Sequence, residues 1–374
     1  MRKFTISGTI LAMCLGGFLS ACGGSPTSGG ASGGEDSDEA RAAQQVYDKF
    51  NGMSGEQRKA ELVKAAEKEG ALSIYTSNTD IDDLVAAFED EYDIDVSIYR
   101  ANSESVLQRV LQEQKANFRG VDVVETNALE LNVLNKEGYL APYESELRDQ
   151  VREEGQADGW TASRFNVFVV GWNTDEVPSG EEPESLEDLA EPEWKGKVSM
   201  EVGDVDWFTT MYQYYEEQGK SEEEILDLFG RLAENSKIVK GHTVQGELLS
   251  AGQFGLGVSL YSHTVDKAAD KGAPVEWKPD SGVPLQPLVI RPNGAGLMNN
   301  AENPAAAALF MDWELAEGQD IFREAFRIGS IPTGSDPLKG LEVIPVPEDE
   351  LLENPEKWDE LYADVVQGGQ EVPE

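Results

Sequence analysis

Residues 71–127 read ALSIYTSNTDIDDLVAAFEDEYDIDVSIYRANSESVLQRVLQEQKANFRGVDVVETN, and their periodicity decides the fold. Leu72–Tyr75 predicts a short strand. Asp80 stands where a helix cap belongs, ahead of Ile81, Leu84, Val85 and Phe88 on one helical face. Val96–Tyr99 predicts a second strand, Val106, Leu107, Val110 and Leu111 a second helix, and Val121–Val124 a third strand. Strands alternating with amphipathic helices build a parallel sheet with right-handed crossovers. Ligands bind such sheets outside the carboxyl ends of the strands. Those ends are Thr76-Ser77-Asn78, Arg100-Ala101-Asn102-Ser103 and Glu125-Thr126-Asn127, all polar, as a cleft wall requires.

A second α/β series follows. Phe165–Trp172 and Lys197–Glu201 predict strands, Trp207–Tyr215 and Ile225–Leu232 helices, and Gly255–Tyr261 a buried strand. Leu288–Ile290 and Ala295–Met298 predict strands returning to the first half. The expected class is therefore α/β, with two lobes joined by hinge strands around a cleft. Residues 41–165 with 290–316 are expected to form lobe 1, and 166–289 with 317–374 lobe 2. Ahead of them, 41–70 has a helical pattern ending at Gly70.

The N-terminus carries a processing pattern. Arg2 and Lys3 precede the apolar run Ile6–Leu19, too short to span a bilayer. Leu19-Ser20-Ala21-Cys22 is similar to a bacterial lipobox, so residues 1–21 are expected to be a signal peptide and Cys22 the acylated first mature residue. Residues 22–40 are Gly/Ser-rich and then acidic, a composition that predicts a flexible tether. Cys14 is lost with the leader, which leaves no pair for a disulfide. The expected location is outside the cell membrane and anchored to it by lipid.

Charge excludes whole classes of partner. The 71 acidic against 30 basic residues give a formal charge of −41, which argues against nucleic acid, whose binding needs a basic footprint. The acids are spread along the chain, as on a surface solvated in high salt, a reading that fits better than an acidic trap for a cationic ligand because one cleft needs only a few carboxylates.

Four stretches carry a resemblance. They are Ala71-Leu72-Ser73-Ile74-Tyr75-Thr76-Ser77; Ala87-Phe88-Glu89-Asp90-Glu91-Tyr92 with Ile94-Asp95-Val96; Asp122-Val123-Val124-Glu125-Thr126-Asn127 with Glu137-Gly138-Tyr139-Leu140-Ala141-Pro142; and Asn303-Pro304-Ala305-Ala306-Ala307-Ala308-Leu309-Phe310 with Glu317-Gly318-Gln319. In this order, behind a lipobox, the chain resembles the extracellular solute-binding proteins of ABC importers, in the branch of the ferric-iron-binding proteins. The resemblance implies a two-lobed type II periplasmic-binding fold, each lobe a mixed, mainly parallel sheet flanked by helices. It also implies a permease and its ATPase as partners.

Ferric-binding relatives hold iron with a His after the first strand, a Glu at the third strand's end and two adjacent Tyr after a late strand. On this chain those positions fall near Thr79, at Glu125, and near Ser262-His263 directly after Tyr261. The resemblance thus implies a metal set of Glu125, Tyr261 and His263, with two of the relatives' ligands replaced. No cofactor is expected beyond ferric iron as transported ligand. A rival ligand is a polyamine-like organic cation, met by the carboxylates Asp204 and Asp206 and the face of Trp207. Ser77, Asn78, Ser103, Thr126 and Asn127 supply neutral hydrogen bonds for these or another small solute. The chain has no GxSxG, HExxH, P-loop or GxGxxG pattern in a suitable context, so an enzyme is not expected. A lipoprotein that reports a ligand to a membrane sensor is the alternative to an import receptor.

Overall fold

The computed structural model describes residues 38–334 and 336–368 and the strand at 370–371. The expected signal peptide, Cys22 and nearly all of the expected tether lie outside these residues. The first helical pattern resolves into two helices, α1 (Asp38–Asn51) and α2 (Gly55–Glu69), broken at Gly52-Met53-Ser54. Gly70 ends α2 at φ 72°, a left-handed position that a side chain would strain.

The stretch from Ala71 to Asn127 folds as its periodicity predicts. Strand β1 (Ala71–Thr76), helix α3 (Ile81–Glu91), strand β2 (Asp95–Arg100), helix α4 (Ser103–Lys115) and strand β3 (Val123–Asn127) form two crossover units. β1 lies parallel to both β2 and β3. The side chain of Asp80 does not cap α3. It turns to two cations from distant segments, described below.

Helix α5 (Ala128–Lys136) and the short β4 (Leu140–Ala141) lead to β5 (Thr161–Asn173), thirteen residues buried throughout. Then come α6 (Leu186–Leu189), β6 (Val198–Glu201), α7 (Val205–Glu217), α8 (Glu222–Glu234) and β7 (Ser236–Val239). Ser221 and Glu224 cap α8 reciprocally. Helix α9 (His242–Ser250), β8 (Leu256–Tyr261), α10 (Ser262–Asp270) and β9 (Val275–Glu276) complete the second series.

β10 (Leu288–Met298) is one continuous strand, where the sequence predicts two. Arg291-Pro292-Asn293-Gly294 reads as a break, yet the strand only shifts register between Asn293 and Gly294. A Cβ at Gly294 would lie 2.3 Å from the Thr161 carbonyl oxygen, so only glycine lets β10 and β5 meet there. After it come α11 (Pro304–Leu315), α12 (Gly318–Glu324), β11 (Ile328–Gly329), β12 (Val343–Pro345), α13 (Glu348–Glu353), α14 (Pro355–Val366) and β13 (Gln370–Glu371).

The larger sheet runs β11-β5-β10-β3-β1-β2, with β4 and β12 on β10 and β8 and β9 on β5. Its parallel part is β2-β1-β3; β5 and β10 add antiparallel pairings, so this sheet is more mixed than expected. A smaller sheet, β13-β7-β6, is parallel. Two hydrophobic cores flank this frame. In the first, Phe88 packs edge-on to Phe310 and Trp313 at 5.3 and 5.4 Å. In the second, Phe208 gathers Phe229, Trp358 and Tyr362. Phe322, Ile328 and Leu338 belong to the first core, and so do Leu260 and Val265. Helix α12 docks on α11 and carries Phe322 inward, and the second core resumes only at Val346.

Candidate functional site

Strand alternation puts Arg164, Asn166 and Phe168 on one face of β5, and Val289, Arg291 and Asn293 opposite them on β10. Asn127, opposite Asn293, and Glu125, two residues earlier, extend this face onto β3. The other face presents Phe165, Val167 and Ile290 to the first core. A long ribbon thus has one polar side, with arginines in a chain poor in basic residues.

Glu125 is fully buried. Its carboxylate accepts hydrogen bonds from Thr76 Oγ1 at 2.7 Å, Asn78 Nδ2 at 3.1 Å and the Arg164 guanidinium. Neighbouring Glu314 is buried as well. Burial and the adjoining Glu125 push its carboxyl well above the ordinary range, which favours the protonated form. Burial denies Glu125 contact with solvent. It is an internal counter-ion.

Ser77 Oγ lies 3.1 Å from Thr126 Oγ1, and Asn127 donates to Ser103 Oγ at 2.9 Å. Ser77, Asn78, Ser103, Glu125, Thr126 and Asn127 are therefore brought together at the ends of β1 and β3. Beside them, Asp80 accepts from Lys267 Nζ at 2.6 Å and from Arg327 Nε at 2.8 Å. Arg327 also donates to Thr79 Oγ1 and Asn166 Oδ1. Burial pushes Asp80 upward, but the two cations together hold it below the usual carboxylate range.

Tyr261 closes the other side. Its ring packs tilted against His242, centroids 3.8 Å apart, and stacks on His263 at 5.4 Å. Its hydroxyl takes a hydrogen bond from Arg291, which also donates to Asp206 at 2.5 Å. Burial drives the His263 imidazole well below its normal pKa, and Arg327, Lys267, Arg164 and His242 add to the effect. Cations thus surround the His263 end of the expected metal set. Glu125 answers Arg164 while Tyr261 answers Arg291.

The organic-cation expectation also changes. Trp207 is 4 % exposed and packs edge-on to Phe229 at 5.7 Å, in the second core, with no face free for a ligand. Asp206 already holds Arg291 and accepts from the Trp207 N–H at 2.8 Å. Asp204 is buried and bonds His242 Nε2 at 3.0 Å. Burial lifts Asp204 to about 6, while in His242 the attraction of Asp204 outweighs burial and raises the imidazole. Cavities of roughly 330 and 250 Å³ lie elsewhere, beside Leu186 and Tyr215 and beside Arg58 and Trp313.

A family described as bacterial extracellular solute-binding protein matches residues 131–362, well over half of the chain. The chain belongs to that family. The Fe(3+)-binding periplasmic protein of Serratia marcescens is 22 % identical over 274 residues, covering 70 % of this chain and 78 % of that protein. Among solved structures, the periplasmic binding protein AfuA from Actinobacillus pleuropneumoniae, with fructose-6-phosphate bound, superposes with a TM-score of 0.68. It is 20 % identical and covers 80 % of this chain and 99 % of its own. Iron-bound HitA from Pseudomonas aeruginosa gives 0.63 at 18 % identity, covering 79 % and 99 %. These likenesses show the two-lobed fold. The relatives named are binding proteins, and no described helix of this solute-binding protein is long and apolar enough to cross a membrane.

Sequence reasoning missed Asp80 as a side-chain partner, Arg164, Lys267, Arg291 and Arg327. A usable signal existed for the arginines. Arg164 stands before the apolar run Phe165–Trp172, Arg291 follows Leu288-Val289-Ile290, and Arg327 follows Phe326. A charge placed against a buried strand needs a partner or a ligand.

Proposed function

We propose that this solute-binding protein is the lipid-anchored, extracytoplasmic receptor of an ABC importer, and that its cargo is an anionic small solute. The observation that carries this reading is the convergence of Arg291, Arg327 and Lys267 with two imidazoles at the polar ribbon. A chain with 71 acidic residues gathers its scarce cations there, around Asp80 and Asp206 as internal counter-charges. Guanidinium pairs suit carboxylates and phosphates by geometry as well as charge. The opposite side, with Glu201, Asp204 and Asp206, offers acceptors for hydroxyl groups. A phosphorylated sugar, the class named for AfuA, meets both requirements and is the first probe.

Ferric iron is the second reading, favoured by the Serratia relative and by Tyr261 beside His242. Delivery to a permease and its ATPase follows from the family's role in ABC import.

Tryptophan fluorescence and calorimetry with fructose 6-phosphate, inorganic phosphate, ferric citrate and spermidine test the proposal. Phosphorylated solute is expected to bind saturably, and Arg327→Gln to weaken it by about 100-fold, the scale of a lost charge-assisted pair. If ferric ion alone binds, and Tyr261→Phe abolishes it, the anion reading fails.

A further inference from the structure

Glu201 ends β6, Asp204 precedes the first turn of α7, and His242 opens α9. Their ligand atoms lie within 4.8 Å of one another. Two loops orient the Glu201 carboxylate: the Gly241 N–H donates to Oε1 at 2.7 Å and the Gly203 N–H to Oε2 at 2.5 Å. Asp204 is 2 % exposed, and its Oδ2 has no hydrogen-bond partner. His242 Nδ1 also lacks one. A buried carboxylate oxygen without a donor is costly, and a native structure normally supplies something to face it.

The charge around the cluster points the same way. Arg291 pairs with Asp206, but among the described residues no Lys or Arg forms an ion pair with Glu201 or Asp204. Glu130 lies close to the Asp206–Arg291 pair, and so does Glu348. Two carboxylates and one imidazole form a mixed oxygen and nitrogen set. This suits a first-row divalent ion, whereas calcium and magnesium favour oxygen alone. If the imidazole proton sits on Nδ1, the Nε2 lone pair joins the carboxylate lone pairs on one point.

We propose that Glu201, Asp204 and His242 form a divalent transition-metal site of the zinc type. It shares no residue with Glu125, Tyr261 and His263, but it shares Glu201 and Asp204 with the acceptor side of the proposed solute site, so a bound ion would stand between those carboxylates and the solute. Three protein donors leave a tetrahedral ion one open position, available to water or to an oxygen of a solute.

The test uses the mature protein stripped with a chelator and titrated with Zn²⁺, and separately with Co²⁺. The titrations run in about 1 M NaCl, where a Debye length near 3 Å screens diffuse attraction to the acidic surface. Calorimetry should show one saturable Zn²⁺ site, with Asp204→Asn and His242→Gln each weakening it by about 100-fold or more and the exposed Glu137→Gln leaving it unchanged. Cobalt reads the site without any variant: direct imidazole and carboxylate ligation gives visible d–d absorption that Zn²⁺ then displaces. Absence of that absorption in the unmutated protein overturns the proposal. So does Zn²⁺ binding that survives both substitutions in folded protein.

Discussion

Lys267 donates a hydrogen bond to Asp80 at 2.6 Å, joining the turn after β1 to helix α10 across 187 residues of sequence. Arg327 shares the same carboxylate. Two cations on one buried acid make Asp80 the counter-ion on which both depend, and removing it leaves them unpaired.

Asp80→Asn is expected to lower stability at pH 7 by about 3 kcal/mol, the scale of a broken buried pair. The sign of the pH effect follows from the depressed pKa of Asp80. Its contribution is complete above the unfolded value of about 3.9 and is lost as pH falls through the folded one. Melting curves from pH 3 to 7 should therefore show a shallower acid slope in the variant, by at most one proton's worth. An acid slope identical to that of the parent would refute the pairing.

Glu125 and Glu314 predict opposite outcomes for one chemical change. Glu125→Gln leaves the Arg164 guanidinium buried without its carboxylate and should cost about 3–5 kcal/mol. Burial and Glu125 favour the protonated form of Glu314, and Glu314→Gln mimics that form. Its raised pKa gives stability that is full below the unfolded value of about 4.3 and lost as pH climbs toward the folded one. The Gln variant should resist alkaline unfolding better than the parent. Urea melts at pH 6 and 9 decide it, and equal losses for the two variants would contradict the assignment.

The alternation of apolar runs made β1, β2, β3 and their helices readable, because each strand buries local hydrophobic residues on a fixed period. It also placed Ser77, Asn78 and Asn127 at one wall, since strand ends follow from strand positions. What stayed hidden depended on partners distant in sequence. Asp80 looks like a helix cap until Lys267 and Arg327 are seen to reach it. Trp207 looks like a cleft aromatic until α8 brings Phe229 against it. Glu125 stands out in the sequence by its strand-end position, but its ion pair depends on Arg164 across the ribbon. The continuity of β10 was masked by Pro292 and Gly294, which propensity reads as a break and register accommodates.

Glu348 carries a pH dependence near neutrality. Burial, then Asp349 and Asp206, raise its carboxyl to about 7, against the pull of a hydrogen bond from Asn132 at 2.7 Å and of Arg291. A raised carboxyl contributes stability that is full below about 4.3 and disappears as pH rises through 7. The parent should accordingly lose stability between pH 5 and 8. Glu348→Gln should remove about 1–3 kcal/mol of that loss, read as a higher melting temperature at pH 8. If the variant melts lower than the parent at pH 8, the Glu348 carboxylate is stabilising and the assignment is wrong.

Salt should act on the whole fold. With a formal charge of −41, mutual repulsion of surface carboxylates favours expansion, and added ions weaken it over the Debye length. The buried pairs Arg164–Glu125 and Arg327–Asp80 are shielded from the same ions, so salt removes repulsion without dissolving them. Melting temperature is expected to rise from about 0.1 M to 1 M NaCl, with most of the gain at the low end, where screening changes fastest. Sodium chloride separates this from sulfate-type exclusion, which strengthens any hydrophobic core regardless of charge. A melting temperature that falls with NaCl would show that attractive surface pairs outweigh the acidic excess.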